Sequence, residues 1–145
     1  MTQQMTSAEG FARLAAQADG LFCMAGGLIG ALAAGSLSEW TGIKPVELLT
    51  FVAIGLIIYG AGLFGIASTR PVTRRLPLTG MTLNLAWIAM SIWLLLADPF
   101  PLTTEGRALV IAIAVIVDVF ATWQFLAVRR MRGQNTTGHL LHKPI

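Results

Sequence analysis

The chain of 145 residues is as long as one soluble domain, but 55% of its residues are apolar and only 12% are charged. Soluble domains carry about 25% charged residues, so this composition excludes a water-exposed globular fold and favours a lipid environment. The net charge of +3 does not indicate nucleic-acid binding, because the basic residues flank apolar segments and form no stripe interleaved with aromatic residues.

The N-terminal segment predicts a helix that begins near Ser7. Thr6 and Glu9 have the spacing of a capping box, in which each side chain binds the other residue's backbone N–H. We expect this helix to lie at the membrane surface, and either to run on into the first membrane span or to bend at Gly20.

Four apolar segments follow, each close to the ~20 residues that cross a hydrocarbon core. The segments are residues 20–37, 49–68, 80–97 and 107–128. Short connections rich in Gly and Pro join them, which favours antiparallel packing of sequential helices. The prediction is an all-α polytopic membrane protein: an antiparallel bundle of four transmembrane helices in one domain, residues 1–132, followed by a flexible tail, residues 133–145.

The distribution of Lys and Arg predicts the orientation of the bundle. Of the ten basic residues, only Lys44 and Arg107 fall on one side. The other eight are Arg13, Arg70, Arg74, Arg75, Arg129, Arg130, Arg132 and Lys143. Because basic residues are retained in the cytoplasm, we expect a multi-pass protein of the bacterial cytoplasmic membrane with cytoplasmic N- and C-termini.

Asp118 is the first candidate for a functional group. It lies midway along the fourth span, where a carboxylate costs about 2.5–3.5 kcal/mol on insertion scales. A partner, water or protonation must offset this cost. The residue is therefore interpreted either as a proton- or cation-coupled site or as a neutral carboxyl hydrogen-bonded between helices.

Further polar residues at similar depths are candidates for binding or proton exchange. Asn84 and Ser91 lie on one face of the third span, and Asn84 shares its depth with Gln124 of the fourth. They predict either hydrogen bonds between helices or a polar pocket. Tyr59 is in the middle of the second span, and a buried hydroxyl there needs a partner such as Asp118 or Ser91.

Asp19 lies at the start of the first predicted span, just inside the cytoplasmic boundary. At that position we expect its carboxylate to pair with Arg74, Arg75 or Arg129, in a structural role rather than a catalytic one. Cys23 follows one turn later, and a lone cysteine in an apolar segment is interpreted as a small packing residue.

Small residues on the first span predict a helix-packing surface. Gly26 and Gly30 form a GxxxG motif, and Gly27 and Ala31 lie beside it. Small side chains let helix backbones approach closely in lipid. These two ridges favour packing within the bundle and leave open the formation of a homo-oligomer.

No motif supports catalysis or cofactor binding. His139 and His142 are too few for a metal site, which needs three or four ligands. Phosphate-binding loops and the GxSxG, HExxH and CxxC motifs do not occur. We therefore expect no enzymatic activity, no metal and no cofactor.

Several short motifs carry a family resemblance. They are AQADGL before the first span, STRP after the second, LNLAW in the third, and LTTEG and AVRR at the two ends of the fourth. Across most of residues 14–132 the chain resembles small four-helix bacterial inner-membrane proteins of uncharacterised function, and its layout is similar to DoxX-like membrane proteins. The resemblance implies the fold but no substrate, cofactor or catalytic residue. Small multidrug transporters also have four helices, but their hallmark is an acid in the first span, and residues 21–36 contain none.

These observations favour a non-enzymatic accessory or interaction protein, because small-residue packing surface is plentiful and reactive groups are few. Its expected partners are membrane lipid and a second copy or a larger membrane complex. The alternative is a small oligomeric proton-coupled carrier that uses Asp118 with Tyr59, Asn84 and Ser91. Where the Asp118 side chain points distinguishes the two.

Overall fold

The computed structural model describes residues 7–140, and side chains are described as far as residue 133. The described chain contains five helices and no strand. They are α1 (Ser7–Leu32), α2 (Ala34–Thr41), α3 (Val46–Thr69), α4 (Arg75–Ala97) and α5 (Thr104–Leu140). Helices α1, α3, α4 and α5 are long and apolar enough to cross a membrane. The predicted all-α, four-span membrane fold is confirmed.

The first span begins earlier than the sequence suggested. Helix α1 starts at Ser7 and continues through Gly20 without a break, so the alternative of a separate surface helix is wrong. The chain leaves α-helical geometry only at Ala33, after which the short helix α2 follows. Residue Thr6 of the expected capping box lies outside the described residues. Asp19 is consequently inside the first long helix rather than at its boundary.

The four long helices form a bundle that is open along one side. Helix α1 packs mainly against α3, α4 packs mainly against α5, and α1 also contacts α5. Helices α3 and α4 touch each other only slightly, although they are sequential. The expectation that all sequential helices pack as neighbours therefore fails for this pair, and a gap remains between them.

Helix α1 approaches α3 at two points where a side chain would not fit. A Cβ atom added to Gly20 would lie 2.8 Å from the carbonyl oxygen of Gly60, and one added to Gly27 would lie 2.6 Å from that of Ala53. The two contacts are seven residues apart on both helices, which keeps one face of each directed at the other. Such close packing is the main association force between helices in lipid.

The predicted glycine ridges are only partly used in this contact. Gly27 is buried and Gly30 faces the Ala53 side chain, 3.2 Å from an added Cβ. Ala31 is half-buried. Gly26, in contrast, is exposed and an added Cβ would meet nothing within 4 Å. The GxxxG motif is thus not the packing element, because a Cβ added to its first glycine would meet no atom of α3 within 4 Å.

The outer surface of the bundle suits a hydrocarbon solvent. Large apolar side chains stand almost free of protein contact, including Leu96 at 82%, Leu32 at 81% and Phe51 at 76% exposure. Exposed apolar surface of this extent is favourable in contact with lipid, whereas water-soluble proteins rarely expose it.

The two ends of the bundle are fastened by polar contacts. At the end that carries most of the arginines, here called the basic end, Arg13 of α1 donates to the carbonyl oxygens of Ala67 and Arg70 at the end of α3. At the opposite end Arg107 pairs with Asp98 at 2.7 Å. Helix α5 continues to Leu140, so helix occupies most of the segment that was expected to be a flexible tail.

Candidate functional site

The carboxyl group of Asp19 is buried where the four long helices meet. Its side chain is 1% exposed. The Oδ2 atom accepts hydrogen bonds from Nε2 of Gln124 at 2.6 Å and from Nδ2 of Asn84 at 2.9 Å. The hydroxyl of Tyr59 donates to the same oxygen at 3.4 Å, and the thiol of Cys23 lies 3.6 Å from Oδ1. We call these five residues the Asp19 cluster.

Glycines on three helices make room for this cluster. Gly20 and Gly60 let α1 and α3 come together next to Asp19, which brings Tyr59 into reach of its carboxyl. On α4, a Cβ atom at Gly80 would overlap the amide group of Gln124. The Gln124 side chain, which is 0% exposed, therefore occupies space that only glycine leaves free.

The electrostatic character of the cluster follows from its hydrogen bonds. Every group directed at Asp19 is a neutral donor, and an ionised carboxylate is a pure acceptor. Hydrogen bonds to a charged group are stronger than neutral ones, so the donors offset the cost of burial. Within the described residues, the expected ion pairs with Arg74, Arg75 and Arg129 do not form, because these arginines are exposed at the basic end.

Two polar atoms near the cluster have no partner. The Oε1 atom of Gln124 and the Nε1 atom of Trp87 are buried and make no hydrogen bond within the described residues. Native proteins rarely leave such atoms unpaired without a reason. A rotation of the Gln124 amide would direct Oε1 at Asp19 instead of Nε2. The cluster can therefore accommodate a protonated carboxyl as well as a charged one.

A cavity of about 420 Å³ adjoins the cluster. It lies in the gap between α3 and α4 and is backed by α1 and α5. Its walls are mostly apolar, and its polar groups are those of Tyr59, Asn84 and Cys23 together with the Trp87 ring. Pockets that bind small molecules have similar volumes and the same combination of apolar walls with few polar groups.

The predicted site residues divide into two groups. Tyr59 and Asn84 do come together, but at Asp19 and not at Asp118. Ser91 is buried and donates to the carbonyl oxygen of Trp87 in its own helix. Asp118 is exposed on the outer face of α5. The expected constellation of four residues around Asp118 is therefore wrong.

Sequence reasoning missed Asp19 and Gln124 as site residues, although a signal was present. Asn84 and Gln124 share a depth in the cytoplasmic half of their predicted spans. Asp19 is six residues from Arg13 and Gln124 is five from Arg129, which corresponds to about 8–9 Å of helix in both cases. With the first span begun at Ser7, Asp19 falls at the depth of the other two.

The earlier start of the first span also changes the comparison with small multidrug transporters. The first long helix does carry an acid, Asp19, so the lack of an acid in the first span is no longer an argument against that family. One acid does not establish membership either.

Comparisons of the chain with protein-family models, with curated proteins and with solved structures give no match. Within the described residues, no group of three or more His, Cys, Asp or Glu side chains is placed to hold a metal ion.

Proposed function

We propose that this multi-pass membrane protein binds a small, largely apolar molecule in the cavity between α3 and α4 and acts as a proton-coupled carrier. The observation that carries the proposal is that Tyr59 and Asn84 belong both to the cavity wall and to the Asp19 cluster. Both line the 420 Å³ cavity, and both donate hydrogen bonds to the buried carboxyl of Asp19. A molecule in the cavity thus contacts the partners of a titratable group.

This arrangement links ligand binding to protonation. When Asp19 is charged, Tyr59 and Asn84 direct their donors at it. When Asp19 gains a proton, the carboxyl itself becomes a donor and needs an acceptor, which the unpaired Oε1 atom of Gln124 supplies after rotation of its amide. The hydroxyl of Tyr59 is then free to bind a polar group of the ligand. Binding and protonation therefore influence each other, as linkage requires.

Access to the cavity supports a ligand that is dissolved in the membrane. Helices α3 and α4 barely touch, and the cavity lies between them. Phe51 on α3 lines the cavity and is 76% exposed, so the opening faces the hydrocarbon region. An apolar molecule with one polar group fits these walls best.

Co-purified ligand tests the binding step. Gly26 lines the cavity and has free space around it, so Gly26→Leu should fill the cavity without a backbone clash. Gly62, which also has free space but does not line the cavity, supplies the control Gly62→Leu. Mass spectrometry of the detergent-purified proteins should find a stoichiometric small molecule in the wild type and in Gly62→Leu, but not in Gly26→Leu. A wild type without any bound molecule would contradict the proposal.

Proton coupling is tested with Asp19→Asn, which keeps the shape of the side chain and removes its charge. In proteoliposomes that contain a pH-sensitive dye, the co-purified molecule should drive proton movement through the wild type and not through Asp19→Asn. The variant should remain folded, as its thermal unfolding in detergent would show. Equal proton movement through both proteins would show that Asp19 does not couple binding to protonation and would contradict the proposal.

A non-enzymatic accessory protein is the second candidate function. Its support is that Asp19 and Gln124 are almost fully buried and bind each other, so the cluster can serve as structural attachment alone. In that case Asp19→Asn has no effect on the cellular role of the protein, and another membrane protein co-purifies at a fixed ratio in mild detergent.

The bacterial cytoplasmic membrane and the cytoplasmic termini belong to the same proposal and are supported by the bias of Lys and Arg toward the basic end. A reporter domain that is active only in the cytoplasm should be active when it is fused after residue 133. A reporter that is active only outside the cytoplasm should be active when it is inserted at 98–106. The reverse pattern would show that the orientation is inverted.

A further inference from the structure

Arginines of α4 and α5 lie at one level at the basic end of the bundle. The two helices pack mainly against each other, and Gly80 of α4 lies against the side chain of Gln124 of α5. Counted from this contact toward the basic end, Arg75 is five residues away along α4 and Arg129 is five residues away along α5. Both distances correspond to about 7.5 Å of helix. Arg75 and Arg129 are therefore at the same depth on two adjacent helices.

This depth is the boundary of the hydrocarbon region. Residues 107–129 of α5 extend over about 33 Å, which is close to the ~30 Å thickness of a hydrocarbon core. One turn deeper than Arg129 is Phe125, which is exposed, and the guanidinium carbon of Arg129 lies over its ring at 5.8 Å from the centroid. One turn deeper than Arg74 is Leu78, which is also exposed. Each helix thus places an arginine at the headgroup level next to an apolar side chain at the level of the acyl chains.

Acidic side chains of the chain do not balance the positive charge at this level. Arg74, Arg75 and Arg129 are exposed, and they form no ion pair within the described residues. Arg74 and Arg75 also lie at the start of α4, where the helix dipole disfavours cations, and the first turn of α4 contains no acidic residue. An anion from outside the chain restores the balance.

We propose that this face of α4 and α5 binds an anionic phospholipid, whose phosphate lies between Arg74 and Arg129 and whose acyl chains lie along Leu78 and Phe125. Every cationic side chain described at the basic end is an arginine and none is a lysine. The paired N–H donors of a guanidinium group match the oxygens of a phosphate. Basic pockets between membrane helices bind phospholipid headgroups in the same way.

The apolar half of this surface distinguishes a lipid from other anions. A free phosphate ion satisfies the arginines but leaves Phe125 and Leu78 without an apolar partner. An acidic protein segment in the aqueous phase reaches the arginines but not the side chains one turn deeper. A phospholipid provides the negative charge and the hydrocarbon at the two depths where this surface needs them.

Lipid binding to the detergent-purified, full-length chain tests the proposal. Native mass spectrometry is used to titrate the protein with phosphatidylglycerol and, separately, with the zwitterionic phosphatidylcholine. We expect phosphatidylglycerol to bind much more tightly. The double variant Arg74→Gln/Arg129→Gln should raise its apparent Kd about tenfold or more, because two charge-assisted contacts are lost. Equal binding of the two lipids by the wild type would overturn the proposal.

A second double variant, Lys44→Gln/Arg70→Gln, is the matched control. It removes the same charge from two exposed side chains, one at the opposite end and one at the end of α3. This variant should bind phosphatidylglycerol like the wild type. Equal weakening in both double variants would show a diffuse attraction to the net charge and would overturn the proposal. All four substituted side chains are exposed, so thermal unfolding without added lipid should be the same in the three proteins.

Inorganic phosphate distinguishes a lipid site from a site for the phosphate group alone. When inorganic phosphate is added at the same concentration as phosphatidylglycerol, the lipid should remain bound to the wild type. Displacement of the lipid would show that the acyl chains contribute nothing to binding, and it would overturn the proposal.

Discussion

Gln124 of α5 donates the shortest hydrogen bond to Asp19 of α1, 2.6 Å from Nε2 to Oδ2, and both side chains are withdrawn from solvent. The two residues lie 105 positions apart in the chain. Their bond joins the first span to the last, and α1 and α5 are the two helices at the back of the open bundle. The stability of the bundle should therefore respond to changes that disturb this pair.

Gly80→Ala tests how much space the pair needs. The new Cβ atom overlaps the Gln124 amide and displaces it from Asp19. The loss of a buried hydrogen bond to a charged group costs about 1–3 kcal/mol. We expect thermal unfolding in detergent at a clearly lower temperature than for the wild type. Gly65→Ala is the matched control, because an added Cβ there meets nothing within 4 Å.

Asn84→Leu and Ser91→Ala compare two buried polar residues of α4. Asn84 donates to Asp19, whereas Ser91 donates to a carbonyl oxygen of its own helix. We expect Asn84→Leu to destabilise the fold by about 1.5–3 kcal/mol, since the carboxylate loses a donor. Ser91→Ala should change stability by less than about 1 kcal/mol. Denaturation of both variants in mixed micelles measures the difference, and equal effects would argue against a special role for Asp19.

Gly60→Leu tests the contact between α1 and α3. A side chain at this position meets the carbonyl oxygen of Gly20 and the backbone of Met24, so the helices must separate. Overpacking of this kind costs about 1–3 kcal/mol or more, and the variant should unfold or aggregate at a lower temperature. Gly62→Leu, two residues along on the outer face, should behave like the wild type. An unaffected Gly60→Leu would show that α1 and α3 do not pack this closely.

Thr103→Val tests the start of α5. The hydroxyl of Thr103 donates to the carbonyl oxygen of Trp40 at 2.6 Å and accepts from the backbone N–H of Gly106 at 2.9 Å. Loss of such an N-terminal cap costs about 1 kcal/mol and up to about 2 kcal/mol. The neighbouring Thr104 is exposed, so Thr104→Val should leave the unfolding temperature nearly unchanged. The reverse ranking of the two variants would contradict the assignment of Thr103 as the cap.

Length and composition alone predict a four-span α-helical membrane protein. The transfer of an apolar segment into lipid depends on the sum of its own residues, so length and composition were sufficient. The start of the first span was misplaced because Arg13, Gln17 and Asp19 interrupt its apolar run. These residues are tolerated because each binds a group on another helix: Arg13 binds Ala67, Gln17 binds Ser68, and Asp19 binds Asn84. The hydropathy summed over a segment of sequence does not include such contacts.

Which of the two acids lies inside the bundle depends on how the helices pack. Around Asp118, apolar residues occupy nearly every face of α5, so the sequence pattern does not indicate which face meets lipid. The central position of Asp118 in its span then favoured Asp118 over Asp19 as the functional acid. Asp19 lies near the basic end in the sequence, so a structural ion pair with an arginine was the expected role. Packing at Gly20, Gly27 and Gly60 sets the rotation of α1 and α3, and the approach of Gly80 to Gln124 sets that of α4 and α5. These rotations turn Asp19 toward Asn84 and Gln124 and leave Asp118 outside. Depth can be counted along a helix, but the direction of a side chain depends on neighbours that are distant in the sequence.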